Sequence, residues 1–322
     1  MNKHLSKILK TLLPLLLGVF LIWYMVSSAT PEEREKLWVN IVEADKFWIA
    51  VSLILGLLSH ASRAYRWKFL LEPLGYKPKF YNSFMAVMVA YLANLGIPRS
   101  GEVLRGATIS TYEKVPFEKA FGTIVSERIA DLIMLLLVVA TAILLQTDTL
   151  LNYFNDQDIN PLMAVGIIVL LVVGVLVGVR ILKSSTHKFF VKLRTFAEGL
   201  LDGMKSILHM KNKWAFIFHT VFIWLSYVLM FGVIKYCIPG TENLSIAGIL
   251  AAFAVGSFAI SATNGGIGVY PFAIGAILIY FNIDKQDGEA FGWILWGSQT
   301  LLNIVLGGLS FLLLPILNRK KT

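Results

Sequence analysis

Long apolar runs separated by short polar connections organise this chain. Runs of roughly 11–28, 47–62, 120–146, 161–180, 214–237 and 291–317 are each long enough to cross a bilayer as a helix. Two further runs, roughly 80–113 and 245–282, are interrupted at their middles. The first is broken by Gly96, Pro98 and Gly101, the second by Gly265, Gly266, Gly268 and Pro271. Their halves are short for full crossings, so the pattern predicts broken helical hairpins that return to the side they entered from. Two full crossings in each place leave the loops on the same sides, so the depth of these hairpins stays open. Strands are set aside, because in lipid each backbone amide of such a chain must find its hydrogen bond within its own segment.

The basic residues assign the sides. With termini inside, 21 of the 29 Lys and Arg residues fall in cytoplasmic loops and five outside, leaving Arg99, Arg105 and Arg128 at membrane depth. The outer connections are acidic or polar, among them "TPEEREK" and "NIDKQDGE". The expected fold class is therefore all-α: a polytopic helical integral membrane protein with about six full spans plus two re-entrant hairpins. Residues 1–322 form one transmembrane domain whose repeat-like halves, roughly 47–146 and 214–317, run in opposite orientations. Inverted repeats with broken helices near the midplane are a transporter architecture. The stretch Lys183–Lys213 interleaves apolar and basic residues and reads as an amphipathic helix on the inner leaflet or as a cytoplasmic connector.

Composition narrows the function. At 57% hydrophobic and 15% charged residues over 322 positions, no soluble core could absorb this chain. The first run follows Lys3, Lys7 and Lys10 without a small-residue cleavage site and reads as a retained anchor rather than a signal peptide. The net charge of +9 sits in short loops beside apolar runs, which points to an anionic membrane surface rather than to nucleic acid. The lone Cys237 and the scattered histidines form no metal-ligand pattern, so no metal and no cofactor are expected. Nucleophile elbows, CxxC pairs and aspartate-rich motifs are missing from the sequence, and no enzymatic activity is expected.

The charges within the apolar runs carry the remaining argument. "ANLGIPRSGEVLRG" places Arg99, Glu102 and Arg105 at i, i+3 and i+6, with Glu102 and Arg105 able to face one another on a helix. The next run opens "FGTIVSERIADLIMLLLV", with Glu127 and Asp131 one turn apart and Arg128 beside them. Six unpaired charges would cost about 15–21 kcal/mol at roughly 2.5–3.5 kcal/mol each, more than a fold can absorb. Their signs balance, which predicts one mutually neutralising network. It either staples the hairpin to its neighbour or binds phosphate, for which guanidinium forks are suited. In "ISATNGGIGVYPF" the residues Asn264, Gly265 and Gly266 read as a substrate gate or as a simple kink. The match of that segment to a nucleotide loop is incomplete. Arg63 and Arg66, next to Trp67, read as snorkelling interface anchors, with headgroup contact as the lesser alternative. Gly248, Ala252 and Gly256 form a small-residue stripe for helix packing.

The motifs "RAYRWKFLLEPLG", "NLGIPRSGEVLRG" followed by "KVPFEKAFGTIVSERIAD", and "NGGIGVYPFAIG" resemble, in order and over nearly the whole chain, the lysylphosphatidylglycerol synthase transmembrane-region family, also called flippase-like domain proteins. The most specific part is the pairing of P-x-x-x-G-E-x-x-R with E-R-x-x-D. The resemblance implies a stand-alone member that moves lipid between leaflets without the aminoacyl-transfer domain. It also implies site roles for Arg99, Glu102, Arg105, Glu127, Arg128 and Asp131. The expected function is an inner-membrane lipid translocase whose partners are membrane lipids, either anionic phospholipid or lipid-linked phosphate. Arg99 and Arg105 bind phosphate in this reading, the acids neutralise them in the empty state, and Arg128 holds the acids. A bacterial plasma membrane is the expected location. The alternatives are a transporter of a soluble ion or metabolite, and a non-catalytic subunit of a lipid-modifying or envelope-synthesis enzyme; homo-oligomers and an enzyme partner remain open.

Overall fold

Among the described residues, unbroken hydrophobic runs form long helices, and where glycine and proline interrupt a run the helix divides. The computed structural model describes residues 16, 19–24, 26–97, 100–146, 191, 210–263 and 265–319. The expected crossing at 161–180, nearly all of the segment 183–213, much of the run 11–28, and the site residues Arg99 and Asn264 lie outside the described residues.

Helix α1 (Pro31–Val42) falls within the stretch read as an outer loop; Thr30 and Glu33 close a reciprocal capping box at its start. α2 (Lys46–Leu71) begins at Asp45, whose carboxylate accepts the Phe47 N–H. It is followed by α3 (Phe80–Gly96), α4 (Ser100–Glu113), α5 (Phe117–Leu145), α6 (Lys213–Ile234), α7 (Ile246–Ala262), α8 (Val269–Leu278) and α9 (Lys285–Leu317). No strand occurs among the described residues. α2, α5, α6 and α9 are long and apolar enough to cross a membrane and correspond to the runs expected at 47–62, 120–146, 214–237 and 291–317.

The two interrupted runs are divided helices. α3 and α7 have 17 residues each, α4 has 14 and α8 has 10. At 1.5 Å per residue each is about 15–26 Å long, short of a hydrocarbon layer of about 30 Å. α3 stops because Ile97 precedes Pro98 and is extended, at φ −125° and ψ 116°. α7 and α8 are separated by Gly265, Gly266 and Gly268, whose φ of 67°, 83° and 68° are left-handed.

The packing relates the two halves. Exchanging α2, α3, α4 and α5 for α6, α7, α8 and α9 turns each principal contact among these eight helices into another that is present: α2 on α3 becomes α6 on α7, α4 on α5 becomes α8 on α9, and α9 on α3 becomes α5 on α7. α2 and α6, the exchanged first members, lie antiparallel: Trp48 stacks near Tyr236 at one end, while Arg66 meets Thr220 at the other. α9 ends beside the start of α3, where Asn318 and Asn82 exchange hydrogen bonds of 2.8 Å. Likewise α5 ends beside the start of α7, where Gln146 donates to the Ala247 carbonyl.

The tips of the hairpins meet. A Cβ on Gly265 would lie 3.1 Å from Leu95 at the end of α3. Behind the second hairpin, Ile223, Phe231, Phe253, Ile274 and Phe291 form an apolar core. The outer faces of α5 and α9 expose Leu136, Leu144, Phe311 and Leu312, as lipid-facing helices do.

Candidate anion site at the first broken helix

α2, α4, α5 and α6 converge on a cluster of charged side chains. Asp131 of α5 accepts from Arg63 Nη1 at 2.6 Å and from Arg66 Nη1 at 3.0 Å. Glu127, one turn earlier, accepts from Arg105 Nη1 at 2.5 Å and lies 3.5 Å from Arg66 Nε. Arg128 reaches Glu102 at 3.2 Å and Asp131 at 3.7 Å. Glu127 and Arg66 are fully buried, and Arg105 and Arg63 retain only 2% and 3% of their surface. The Arg128 side chain, by contrast, is 45% exposed.

Neutral groups hold the arginines in place. Arg66 also donates to Thr220 Oγ1 at 3.0 Å, and Arg63 to the Tyr227 hydroxyl at 3.3 Å. The Arg105 guanidinium lies 3.9 Å from the centre of the Trp67 ring, a cation–π stack. The indole N–H of Trp67 is in turn fixed by Thr123 Oγ1 at 2.8 Å. Low dielectric makes such a cluster stable only when paired, since removing one member strands the others.

Glu102 and Arg105 do not pair with one another; each is drawn across to α5, where opposite charges are nearer than a neighbour on its own helix. Arg63 and Arg66 require a correction. They were expected at the interface as snorkelling anchors, but they are buried ion-pair partners of Asp131 and Glu127, because α2 continues to Leu71 and turns this stretch inward. A signal existed in the sequence: Ser52, Ser59, Arg63 and Arg66 recur at spacings of 7, 4 and 3, a polar stripe down one face of an otherwise apolar helix. Tyr91, Thr220 and Tyr227 carried no such signal, since each is a lone polar residue whose role depends on partners from other helices.

Four guanidinium groups face three carboxylates among the described residues: Arg63, Arg66, Arg105 and Arg128 against Glu102, Glu127 and Asp131. The neutral balance expected from sequence gives way to a positive surplus. Several donors are left over: Arg63 Nε, Arg66 Nη2, Arg105 Nε and Arg105 Nη2 are buried and make no hydrogen bond within the described residues. The amide opening α4 is already used, because Gly101 donates to Asn94 Oδ1 at 2.8 Å.

Gly265 and Gly266 stand apart from the ion pairs. Their amides turn inward to Thr263, and Trp296 Nε1 donates to the Gly265 carbonyl at 2.7 Å. The Gly248–Gly256 stripe serves packing as expected: a Cβ on Gly256 would meet Tyr270 and Ile274 of α8 at 2.7 and 3.3 Å. No group of side chains that could hold a metal ion occurs among the described residues.

The long apolar helices, the divided hairpins and a charge cluster walled in by apolar core define a multi-pass helical membrane protein. The chain belongs to the lysylphosphatidylglycerol synthase TM region family, whose profile matches residues 11–308. A UPF0104 membrane protein of Methanocaldococcus jannaschii is 30% identical over 100 residues, which is 30% of this chain and 30% of that protein. The glycosyltransferase AglD of Haloferax volcanii is 26% identical over 92 residues, 28% of this chain and 15% of that one. Both matches thus span less than a third of either partner. No solved structure matches the chain.

Proposed function

We propose that this protein moves an anionic, phosphate-bearing lipid between leaflets of the plasma membrane, with the headgroup passing through the arginine cluster and the tails remaining in the bilayer. The supporting observation is the surplus of buried guanidinium donors on Arg63, Arg66 and Arg105 beside a broken helix. A guanidinium with unused N–H groups in low dielectric takes phosphate oxygens well, because charge-assisted bonds there replace lost hydration. Arg128, half exposed and bridging Glu102 and Asp131, is the member able to release its acids and meet an incoming headgroup first. Arg99 belongs to the same site by sequence position, and the Gly265–Gly266 tip against Leu95 forms the opposite wall. No bond of the lipid is made or broken in this reading, and both chain termini lie in the cytoplasm.

The test is exchange of a labelled phosphatidic acid in vesicles containing the purified protein. Arg105→Lys keeps the charge facing Glu127 but loses the fork. Exchange should fall at least about tenfold, the equivalent of one charge-assisted hydrogen bond. An Arg105→Lys protein that is folded and exchanges lipid at the unaltered rate defeats the proposal.

The likeness to a glycosyltransferase favours a second reading, in which this membrane unit serves an enzyme acting on a lipid-linked substrate. That reading requires the protein to co-purify with such an enzyme and to exchange no lipid alone.

A further inference from the structure

A buried histidine stands apart from the ion pairs. His60 of α2 is 5% exposed, and neither Nδ1 nor Nε2 makes a hydrogen bond within the described residues. Beside it is the side chain of Asn303 of α9, whose Oδ1 is also buried. The imidazole packs against the ring of Tyr91 from α3, with centroids 4.6 Å apart. From there a chain of polar contacts reaches the arginine cluster: the Tyr91 and Tyr227 hydroxyls are 3.3 Å apart, Arg63 donates to Tyr227 at 3.3 Å, and Arg63 holds Asp131. In the other direction, Gln299 of α9 donates to the Ser52 carbonyl and hydroxyl of α2 at 3.1 and 3.3 Å. Polar contacts therefore flank His60 along α2 in both directions, with α9 on the Ser52 side and with α3 and α6 on the Arg63 side.

We infer that His60 binds a coupling proton whose occupancy is linked to the anion at Arg63. The inference rests on the lipid-translocation reading and adds a second ligand to it. The groups facing the imidazole are Tyr91 from α3 and Asn303 from α9, with Tyr227 of α6 and Asp131 of α5 reached only through Tyr91 and Arg63. The charge acting on it is the Arg63 guanidinium of its own helix, and no carboxylate faces it. A proton arriving from water forms an N–H bond on the ring and places a second positive charge beside Arg63. That arrangement is favourable when a phosphate sits at Arg63 and unfavourable when the site is empty. Linkage makes the effect reciprocal: the anion raises proton affinity at His60 by the same factor by which the proton raises anion affinity. When the anion leaves, the N–H bond breaks and the proton returns to water. Ionisable residues within spans commonly mark such relays.

The experiment uses the full-length protein in phosphatidylcholine vesicles with labelled phosphatidic acid as probe. Exchange is measured at equal pH on both sides and after a pH step of either sign. NMR follows the His60 ring signal, assigned by its loss in His60→Gln, with and without the probe. The expected result is that a pH step changes wild-type exchange by about fivefold or more, within the usual range of coupling. His60→Gln still exchanges lipid but loses the response to the pH step, and in the wild type the probe moves the His60 titration midpoint upward. A wild-type protein that exchanges lipid indifferently to the pH step, or a His60→Gln protein that still responds, overturns the proton site and leaves translocation standing. No exchange at any pH overturns translocation instead. The NMR titration then judges the proton site alone: a midpoint unmoved by the probe overturns it. Should His60→Gln fail to fold, His60→Asn and the wild-type titration decide in the same way.

Discussion

The two hairpins occupy equivalent places in the packing yet are built from opposite chemistry. α3–α4 meets α5 through Arg105, Glu127, Glu102 and Arg128, whereas α7–α8 meets α9 through glycine and proline backbone. A Cβ on Gly292 would lie 2.7 Å from Pro271 Cα, and one on Gly288 would lie 3.1 Å from Gly275 Cα. The same crossing is thus held by charge on one side and by close backbone approach on the other. Helix packing sets the architecture, and the chemistry is free to concentrate in one half.

The sharpest way to break this contrast is to remove charge from the first hairpin's side. Asp131→Ala leaves Arg63 buried without its carboxylate and Arg66 with only the more distant Glu127, and should cost about 3–5 kcal/mol, read as a large drop in the thermal unfolding midpoint in detergent. Such a loss exceeds what any exposed residue could produce. A protein of unchanged midpoint would show that the cluster does not hold the first half together.

On the other side, Gly292→Ala probes the close approach. Pro271 backbone must move to admit the methyl group, so the cost should be about 1–3 kcal/mol. Gly297→Ala, on the same helix but with nothing within 4 Å of its Cβ, serves as the control and should be neutral. Equal effects from both would erase the distinction between the two seams.

An effect of the same order is expected where Trp67 supports Arg105. Thr123→Val keeps the shape but removes the acceptor for the indole N–H, at about 1–3 kcal/mol for a buried donor left unpaired. It should also lower lipid exchange without touching a charged residue, because the ring beneath the Arg105 guanidinium loses its fixed position.

The smallest effect belongs to the outer surface, where Lys36 of α1 meets Asp284 at 2.8 Å and Asp287 at 3.1 Å. Hydrogen bonding to Lys36 holds the Asp284 carboxyl below its usual range. A depressed carboxylate contributes stability above its unfolded-state pKa and loses it as pH falls through the folded value. Asp284→Asn should therefore leave the unfolding midpoint near its original value at neutral pH and flatten its decline on the acid side. Exposure keeps this pair weak.

Much of the fold was legible in the chain because lipid leaves few options. Uninterrupted apolar runs must be helices, and "NLGIPRSG" and "NGGIG" must interrupt them, since proline removes a donor and glycine reaches left-handed backbone. The ion cluster was partly legible for a related reason: charges at Glu102, Arg105, Glu127, Arg128 and Asp131 can sit in apolar runs only if they find one another. Arg63 and Arg66 escaped that logic because they stand near the end of their run, where snorkelling would have satisfied them equally well. Nothing local distinguishes an arginine that reaches outward from one that turns inward.

What sequence alone determined, then, was the inventory: helical spans, two breaks, and charges that had to be neutralised in a low-dielectric interior. Only the tertiary structure decided which charges meet, that a fourth arginine tips the cluster positive, and that buried His60 is joined to it through Tyr91 and Tyr227. The reason is physical. Hydrophobicity and backbone sterics act over a few residues and can be read along the chain, while ion pairing is decided across helices brought together by packing.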